Sequence, residues 1–370
     1  MRPFKLERYF ARHEFSSRYL LSASDCESLS LSELLQMARP ETLQAWDGLR
    51  LGYTESQGHP GLRAAVAMLY QHISPDQVLI AAPEEAIFIA MQTLLQPGDE
   101  VIAVSPAYQS LHEIATSLGC KLTPWTFELE GRRWQLDLER MERAITPRTR
   151  LVVINFPHNP TGFLPSRQDW DRIVDLVQAH DLYLFSDEMY HYLELDPPAR
   201  LPAGCDCYEK CISLCGLSKS FALPGLRIGW LASRDHDLIE RWLAYKDYTT
   251  ICSSAPSEIL GIIALQAKES ILPRNLEIVR QNIALAESFF NKWESFLFWV
   301  PPLAGSIAFP RWLGKGSVDQ FAEELLNAKG VMVVPGGLFD YPGNHFRVGL
   351  GRRNFGEALE ELDAYFAHIG

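Results

Sequence analysis

The sequence predicts an α/β fold in which a large domain is followed by a smaller α+β domain. Between residues 77 and 233, short apolar segments without alternating polar residues are separated by segments with helical apolar spacing. This pattern is typical of a mostly parallel central sheet sandwiched by helices. After about residue 270 the order of helices and strands changes, which predicts a second, smaller unit.

Individual elements are predicted from apolar periodicity and from the residues that begin or end them. One helix, for example, begins at Pro83 and ends before Pro97-Gly98. The predicted strands are 77–82, 100–105, 120–127, 150–157, 182–190, 211–216, 227–233, 307–312, 331–336 and 346–351. The predicted helices are 61–73, 83–96, 108–119, 138–146, 167–181, 274–296 and 318–330.

Three regions follow from this division. Residues 1–45 form an N-terminal arm and part of the small domain, because their own pattern is too short for a separate core. Residues 46–270 form the large domain, and residues 271–370 form the small C-terminal domain.

Charge and composition exclude several classes of partner. The net charge is -12 and no block of lysine or arginine stands out, which argues against a nucleic-acid or anionic-membrane surface. The first residues lack the pattern of a signal peptide, and no run of eighteen apolar residues occurs. We therefore expect a cytoplasmic protein that binds neither nucleic acid nor a membrane.

Four of the seven cysteines lie close together in the sequence, at Cys205, Cys207, Cys211 and Cys215. Such a group can hold zinc, but the spacing is not that of paired C-x-x-C knuckles. Cys211 and Cys215 belong to an apolar segment that is predicted to be a buried strand. We therefore favour buried, reduced cysteines and expect no metal.

Chemically active residues follow several of the predicted strands. Tyr108, Asn159, Asp187, Tyr190 and Lys219 all lie at or just after a strand end. In open parallel sheets, ligands bind beyond the carboxyl ends of the strands. The sequence thus predicts that a carboxylate, an amide, an amine and two phenol rings meet at one edge of the sheet.

Three segments resemble the cofactor motifs of fold type I pyridoxal-phosphate enzymes. They are HNPTG (158–162), SDEMY (186–190) and GLSKSFALPGLRIG (216–229). Further similar segments are LGYTESQGHPGLR, QPGDEVIAVSPAY, PPLAGSIAFP and FRVGLGR, so that the resemblance covers nearly the whole chain. Among these enzymes the chain is most similar to the class I/II aminotransferases.

The resemblance implies a role for each strand-end residue. Lys219 would form a Schiff base with pyridoxal 5'-phosphate, and Asp187 would face the pyridine nitrogen. Asn159 and Tyr190 would donate hydrogen bonds to the phenolate oxygen of the cofactor. Tyr108 would stack on its ring.

The remaining implied residues bind the phosphate and the substrate. Phosphate donors would be the helix start at Pro83, Glu84 and Glu85, together with Ser218, Arg227 and Tyr53 of a second subunit. Glu84 and Glu85 would contribute backbone amides only. Arg347, with Asn159 beside it, would bind the substrate α-carboxylate, because the planar guanidinium fits a carboxylate bidentately. The implied assembly is a homodimer with active sites at the subunit interface.

Three positions depart from the family pattern. Pro83 has no amide hydrogen where a phosphate donor is expected. Gly216 stands where many relatives carry a hydroxyl. The segment around Ser24, Asp25 and Cys26 lacks the glycine turn that usually covers the substrate, which suggests an atypical substrate.

Three functions remain open at this point. The resemblance favours transfer of an amino group from an α-amino acid to a 2-oxo acid. The same chemistry at the substrate Cα also allows a lyase or a cyclase, similar to capreomycidine synthase. A non-catalytic sensor module is disfavoured, because no basic helix-turn-helix pattern precedes the arm.

Overall fold

The computed structural model describes residues 1–369. Its strands are β1 (Val78–Ala81), β2 (Glu100–Ser105), β3 (Lys121–Thr126), β4 (Glu128–Glu130), β5 (Arg133–Gln135), β6 (Thr149–Asn155), β7 (Tyr183–Asp187), β8 (Cys211–Gly216), β9 (Gly229–Ala232), β10 (Leu297–Phe298), β11 (Ile307–Ala308), β12 (Arg311–Trp312), β13 (Val334–Pro335) and β14 (Phe346–Gly349). Its helices are α1 (Lys5–His13), α2 (Leu31–Gln36), α3 (Pro40–Asp47), α4 (Pro60–Ala67), α5 (Pro83–Leu94), α6 (Ser110–Ser117), α7 (Leu138–Ala144), α8 (Arg167–Ala179), α9 (Gly204–Cys207), α10 (His236–Lys246), α11 (Ala255–Gln266), α12 (Lys268–Lys292), α13 (Val318–Lys329) and α14 (Phe355–Ile369).

Seven strands form the central sheet in the order β1-β9-β8-β7-β6-β2-β3. The pairs from β8 to β3 are parallel, and β9 runs antiparallel between β1 and β8. The predicted mostly parallel sheet is therefore confirmed. Its parallel strands bring their carboxyl ends to one edge, as the sequence analysis requires.

Both faces of the sheet are covered, which explains why its strands are apolar without alternation. In β1, Leu79 and Ala81 join one apolar cluster, whereas Val78 and Ile80 join the other. Successive side chains of a strand point to opposite faces, so each face has its own core. Helix α5 packs on one side against β8 and β9, and α4 and α11 pack together in the second core.

The C-terminal part contains a sheet of order β11-β14-β13 with α13 and α14 packed together. The strand predicted over 307–312 is two strands here, β11 and β12, which belong to different sheets. The interruption falls at Pro310, which has no N–H to continue a ladder. Of the strand predicted over 331–336, only Val334–Pro335 pairs with β14.

The N-terminal residues contact both parts of the molecule. Backbone hydrogen bonds join residues 18–27 to 330–351, for example from Met332 N to Tyr19 O at 2.9 Å. Helices α2 and α3 pack instead against α11 of the large part. Helix α12 begins at Lys268, two residues before the predicted boundary at 270. The division into 1–45, 46–270 and 271–370 stays a prediction.

Several elements were not predicted from the sequence. They are the hairpin β4–β5, the short strand β10 and helices α1, α2, α3, α9, α10, α11 and α14. Helix α2 begins with a capping box at Ser30 and Glu33, a local signal that was available in the sequence. Helix α11 is apolar on nearly all sides because it is buried against other helices, so it lacks the amphipathic pattern used to predict helices.

The clustered cysteines lie in and around β8. Cys205, Cys211 and Cys215 are buried, and Cys207 is partly buried. In residues 1–369, all seven cysteines are free thiols, and no helix is long and apolar enough to cross a membrane.

Candidate active site

A cavity of about 450 Å³ lies at the carboxyl edge of the central sheet. It is bounded by the strand ends of the large part, by the N-terminal residues and by β14. Ten of the residues predicted for the site line this cavity: Pro83, Glu84, Tyr108, Asn159, Asp187, Tyr190, Ser218, Lys219, Arg227 and Arg347. The tertiary structure thus brings together side chains that are up to 264 positions apart in the sequence, from Pro83 to Arg347.

Two predicted residues lie outside this cavity. The Glu85 carboxylate accepts hydrogen bonds from the hydroxyls of Thr249 and Thr250, at 2.6 and 2.7 Å. Tyr53 is 90% exposed. Its predicted role requires a second subunit, so its position in this single chain leaves that role a prediction.

Lys219 follows β8 and extends into the cavity. Its amine, Nζ, donates a hydrogen bond to Ser24 Oγ at 2.8 Å. Burial lowers the pKa of the Lys219 amine, although the charge of Asp25 opposes this shift. Burial therefore favours the neutral amine, which is the form able to act as a nucleophile or a base.

Asp187 ends β7 and is 6% exposed. Burial raises the pKa of its carboxyl to about 7, and the Met189 amide, which donates to Oδ1 at 3.1 Å, opposes the shift. Asn155, at the end of the neighbouring strand β6, donates from Nδ2 to the Asp187 carbonyl at 3.0 Å. A cationic ring nitrogen next to this carboxylate would favour its ionised form.

Asn155 also holds the next predicted residue. Its Oδ1 accepts a hydrogen bond from the Asn159 backbone amide at 2.8 Å. His158 is buried in the same turn; its Nε2 donates to the Pro106 carbonyl at 2.8 Å, so Nδ1 accepts from the Thr161 hydroxyl at 2.7 Å. Burial lowers the pKa of His158 to about 3. His158 is thus a neutral structural residue that ties the turn to the loop before Tyr108.

Arg347, on β14, is 1% exposed and faces the cavity from the small part. Its Nη2 and Nε donate to the Ser22 carbonyl at 2.9 and 3.2 Å, and its Nη1 donates to Asn159 Oδ1 at 3.2 Å. No carboxylate in residues 1–369 lies within 4.0 Å of this guanidinium. A buried cation held only by neutral acceptors is suited to bind an anion.

The two phenols differ in their contacts. Tyr108 packs against Phe4 with ring centroids 4.9 Å apart, and its hydroxyl donates to Glu7 Oε1 at 2.8 Å. Tyr190 is 2% exposed and its hydroxyl makes no hydrogen bond within residues 1–369. A buried hydroxyl without a partner is costly, so Tyr190 is a donor suited to a bound ligand.

Donors for a phosphate group gather at the start of α5. This helix has no side-chain N-cap at Ala82, so the amides of Glu84 and Glu85 are the donors of its first turn. The Ser218 hydroxyl is buried without a hydrogen bond, and Arg227 lines the cavity beside it. The Glu84 carboxylate accepts from the Ser110 hydroxyl at 3.2 Å.

The structure explains Gly216 and Pro83 as parts of one packed contact. A Cβ added to Gly216 would lie 2.9 Å from Gly229 Cα and 3.0 Å from the Ile228 carbonyl oxygen. A Cβ on Gly229 would in turn lie 2.8 Å from Pro83 Cγ. Gly216 is therefore required by the close approach of β8 and β9 beneath the start of α5. A hydroxyl side chain does not fit there.

Sequence reasoning missed several residues that line the cavity. They are Glu7, Phe10 and Glu14 on or just after α1, Asn155, and Arg352, which pairs with Asp25 at 2.9 Å. Ser24 and Asp25 were singled out only as an atypical segment, and both line the cavity. The sequence did contain a signal for a helical face, because Glu7, Phe10 and Glu14 are spaced by three and four residues. Nothing in the sequence indicated which part of the molecule this face contacts.

The residues present fit pyridoxal phosphate. Ser218, Arg227 and the α5 amides would provide donors for its phosphate, and Asp187 would provide a carboxylate for its ring nitrogen. The unpartnered Tyr190 hydroxyl and Asn159 would contact its phenolate oxygen, and the Lys219 amine would react with its aldehyde.

Comparisons with known proteins identify the family of this chain. The family model of aminotransferase class I and II matches residues 19–360. Capreomycidine synthase of Streptomyces vinaceus is 31% identical over 338 residues, covering 90% of this chain and 86% of that protein. Aspartate aminotransferase of Musicola paradisiaca is 30% identical over 298 residues, covering 78% of this chain and 74% of that protein.

A solved structure is similar to this chain over the whole fold. The pyridoxal-phosphate-dependent aminotransferase from Streptococcus suis superposes with a TM-score of 0.93 at 30% identity, covering 100% of this chain and 98% of that one. The predicted resemblance, fold class and cofactor are confirmed by these matches. The chain belongs to the class I and II aminotransferases and is a pyridoxal-phosphate-dependent enzyme of fold type I.

Proposed function

We propose that this enzyme transfers the amino group of an α-amino acid to a 2-oxo acid. The observation that carries the proposal is the placement of the Lys219 amine in one cavity with the Asp187 carboxylate and the Arg347 guanidinium, which has no carboxylate partner within residues 1–369. These three groups supply a nucleophile or base, a partner for a cationic ring and an anchor for an α-carboxylate.

The residues of this chain have distinct roles in the proposed reaction. Arg347 binds the substrate α-carboxylate and Asn159 holds Arg347 in place, which fixes the orientation of the Cα–H bond. The neutral Lys219 amine takes the proton from Cα. Ser24 keeps that amine within reach by accepting its hydrogen bond at 2.8 Å. Pyridoxal phosphate, when bound, supplies an electron sink for the charge that develops at Cα.

A homodimer is part of the proposal. Leu51, Tyr53, Met68 and Tyr248 are large side chains that are more than four-fifths exposed in the single chain. The loop of Tyr53 is joined to the loop of Tyr248 through Ser56, whose hydroxyl donates to the Ile251 carbonyl at 2.8 Å. An apolar exposed surface of this kind is typical of a subunit interface. In such a dimer Tyr53 would donate to the phosphate in the partner's site.

A second candidate is a cyclase or lyase that acts on an amino acid at the same Cα. It is favoured by the 31% identity to capreomycidine synthase over 90% of this chain. The cavity residues described above serve either outcome, since both begin with removal of the Cα proton.

Substituting Lys219 tests the shared part of both candidates. The purified wild type, supplied with pyridoxal phosphate, should show an absorption band near the edge of the visible range from covalently bound cofactor. Lys219→Ala should lack the band and lose at least about a thousandfold in turnover. Lys315→Ala, at an exposed position, is the matched control and should keep both. A wild type without the band would contradict the proposal.

Product analysis separates the two candidates. Single-turnover incubation with candidate amino acids should yield a 2-oxo acid together with the amine form of the cofactor if the enzyme is a transaminase. A product formed while the cofactor remains in its aldehyde form would instead establish the cyclase or lyase.

A further inference from the structure

One face of helix α1 lines the cavity into which Lys219 extends. It presents Leu6, Glu7, Phe10 and, at the helix end, Glu14. These positions are spaced by one, three and four residues, so they lie along one side of the helix. The face combines two apolar side chains with two carboxylates.

Outside this face, the carboxylates that line the cavity are those of Asp25, Asp187 and Glu84, and Glu84 accepts a hydrogen bond from the Ser110 hydroxyl at 3.2 Å. Asp25 pairs with Arg352 at 2.9 Å, and Asp187 lies near Lys219 and the place of the cationic ring. Arg347 and Arg227 remain for the α-carboxylate of the substrate and the phosphate of the cofactor. Within residues 1–369, no lysine, arginine or histidine nitrogen lies within 4.0 Å of the carboxylate of Glu7 or of Glu14.

Glu14 is unfavourably placed without a cation. Its carboxyl makes no hydrogen bond within the described chain. Partial burial raises the pKa of the Glu14 carboxyl and the negative charges of Asp25 and Glu7 raise it further, whereas the positive charges of Arg352 and Lys219 oppose the shift. A positive group entering the cavity would relieve both effects. Glu7 accepts one hydrogen bond, from Tyr108, and keeps three lone-pair sites of its carboxylate.

The cavity is a ligand site independently of these carboxylates. The Tyr190 hydroxyl, on a residue 2% exposed, lines it without a hydrogen-bond partner. Arg347 would bind the anionic end of the ligand, because a buried guanidinium without a carboxylate partner favours binding of an anion. An amino acid with an additional positive group fits both ends of the cavity. Its α-carboxylate would bind Arg347, and its additional positive group would bind Glu7 and Glu14.

We propose that the substrate is an α-amino acid with a cationic side chain, an amine or a guanidine, which is bound by the carboxylates of Glu7 and Glu14. Leu6 and Phe10 pack against the methylene groups between the two ends. This inference rests on the proposed function, since it names the substrate class of the same site.

The test compares ligands of equal shape and different charge. L-Arginine and L-citrulline differ in that a neutral urea group replaces the guanidinium. Binding to the enzyme with its cofactor is measured by titration calorimetry, and conversion is measured from single-turnover rates. We expect arginine, or one of the amines L-lysine and L-ornithine, to bind at least about tenfold more tightly than citrulline.

Two isosteric variants connect this preference to the named residues. Glu14→Gln and Glu7→Gln should each lower the affinity for the preferred basic amino acid by about tenfold and leave citrulline within about twofold. Glutamine keeps the acceptor for Tyr108 and the shape of the side chain, and the cofactor absorption band reports that each variant is folded. Glu360→Gln, at an exposed position of α14, is the matched control.

The outcomes separate this inference from the proposed function. If citrulline, methionine or glutamate is bound and converted at least as well as every basic amino acid, the inference is overturned and the proposed function stands. Equal losses for arginine and citrulline in both variants would also overturn it. If no amino acid is converted, the proposed function fails, and calorimetric selectivity for the basic amino acid still decides the inference.

Discussion

Arg347 is the buried residue that we propose binds the substrate α-carboxylate. Its guanidinium is positioned by two bonds to the Ser22 carbonyl and one to Asn159. A lysine has a single charged nitrogen and cannot make these bonds and also bind a carboxylate bidentately.

We expect Arg347→Lys to raise KM for the amino acid by about 10- to 100-fold with a smaller change in kcat. Steady-state kinetics measures both constants. Arg311→Lys, at an exposed position of the same C-terminal part, is the control. An unchanged KM would show that Arg347 does not bind the substrate carboxylate.

Asp187 gives the cofactor-free protein a pH-dependent stability. Burial raises the pKa of its carboxyl from 3.8 to about 7, so between about pH 4 and pH 7 the folded state binds more protons than the unfolded state. Stability must therefore fall as the pH rises through this window. The carboxyls of Glu84 and Glu188, whose pKa values are also raised to about 7 by burial, act in the same direction.

In cofactor-free protein, Asp187→Asn should reduce the difference in unfolding free energy between about pH 5 and pH 7.5 by roughly 2–4 kcal/mol. Urea unfolding at the two pH values measures this difference. The same slope in the variant and in the wild type would contradict the assignment. With cofactor bound, a cationic ring nitrogen should favour the ionised carboxylate and weaken this dependence.

At the scale of elements, the proposed phosphate site at the start of α5 depends on close contact between backbone segments. Strands β8 and β9 pair through Gly216 and Gly229, and the start of α5 lies on them through Pro83. The proline removes one amide, but its ring fills the space above Gly229. The amides of Glu84 and Glu85 remain at the helix start, where the helix dipole favours an anion.

Gly216→Ser should destabilise the protein by about 1–3 kcal/mol and should not improve cofactor binding, because its side chain overlaps the opposite strand. Chemical unfolding and cofactor titration measure the two effects. Gly337→Ala, where an added Cβ meets nothing within 4 Å, should change stability by less than about 0.5 kcal/mol. Tighter cofactor binding by Gly216→Ser would contradict this explanation and would indicate that Gly216 stands in place of a phosphate-binding hydroxyl.

At the scale of the whole molecule, two distant segments form one exposed surface. The loop from Leu51 to Ser56 is hydrogen-bonded to the loop that carries Tyr248 and Ile251. Their exposed apolar side chains need a partner surface, and the proposed partner is a second copy of the chain.

We expect sedimentation analysis to show a dimer, and Tyr248→Asp to shift it toward monomer. Tyr53→Phe should leave the dimer intact and weaken cofactor binding by about tenfold through loss of one phosphate donor. Leu313→Asp, on a different surface, is the control for the first variant. A monomeric wild type would contradict both the dimer and the role of Tyr53.

Much of the fold was predictable because it depends on local pattern. Strands buried on both faces need continuous apolar residues, and the helices between them show their buried side by periodicity. The order of motifs around Lys219, Asp187 and Asn159 was enough to predict the cofactor. Helix α11 was missed because its uniform burial removes the apolar periodicity. The prediction of one continuous strand over 307–312 was wrong because Pro310 ends the hydrogen-bonded ladder.

The sequence alone determined the α/β class, which follows from local pattern, and the cofactor, which follows from motifs that resemble those of a known family. Only the tertiary structure decided that Gly216 is a packing residue and that helix α1 brings Glu7 and Glu14 to the same cavity as Lys219 and Arg347. The physical reason is that steric contact and charge balance depend on distances in space. Residues 7 and 347 share one cavity only after the chain has folded.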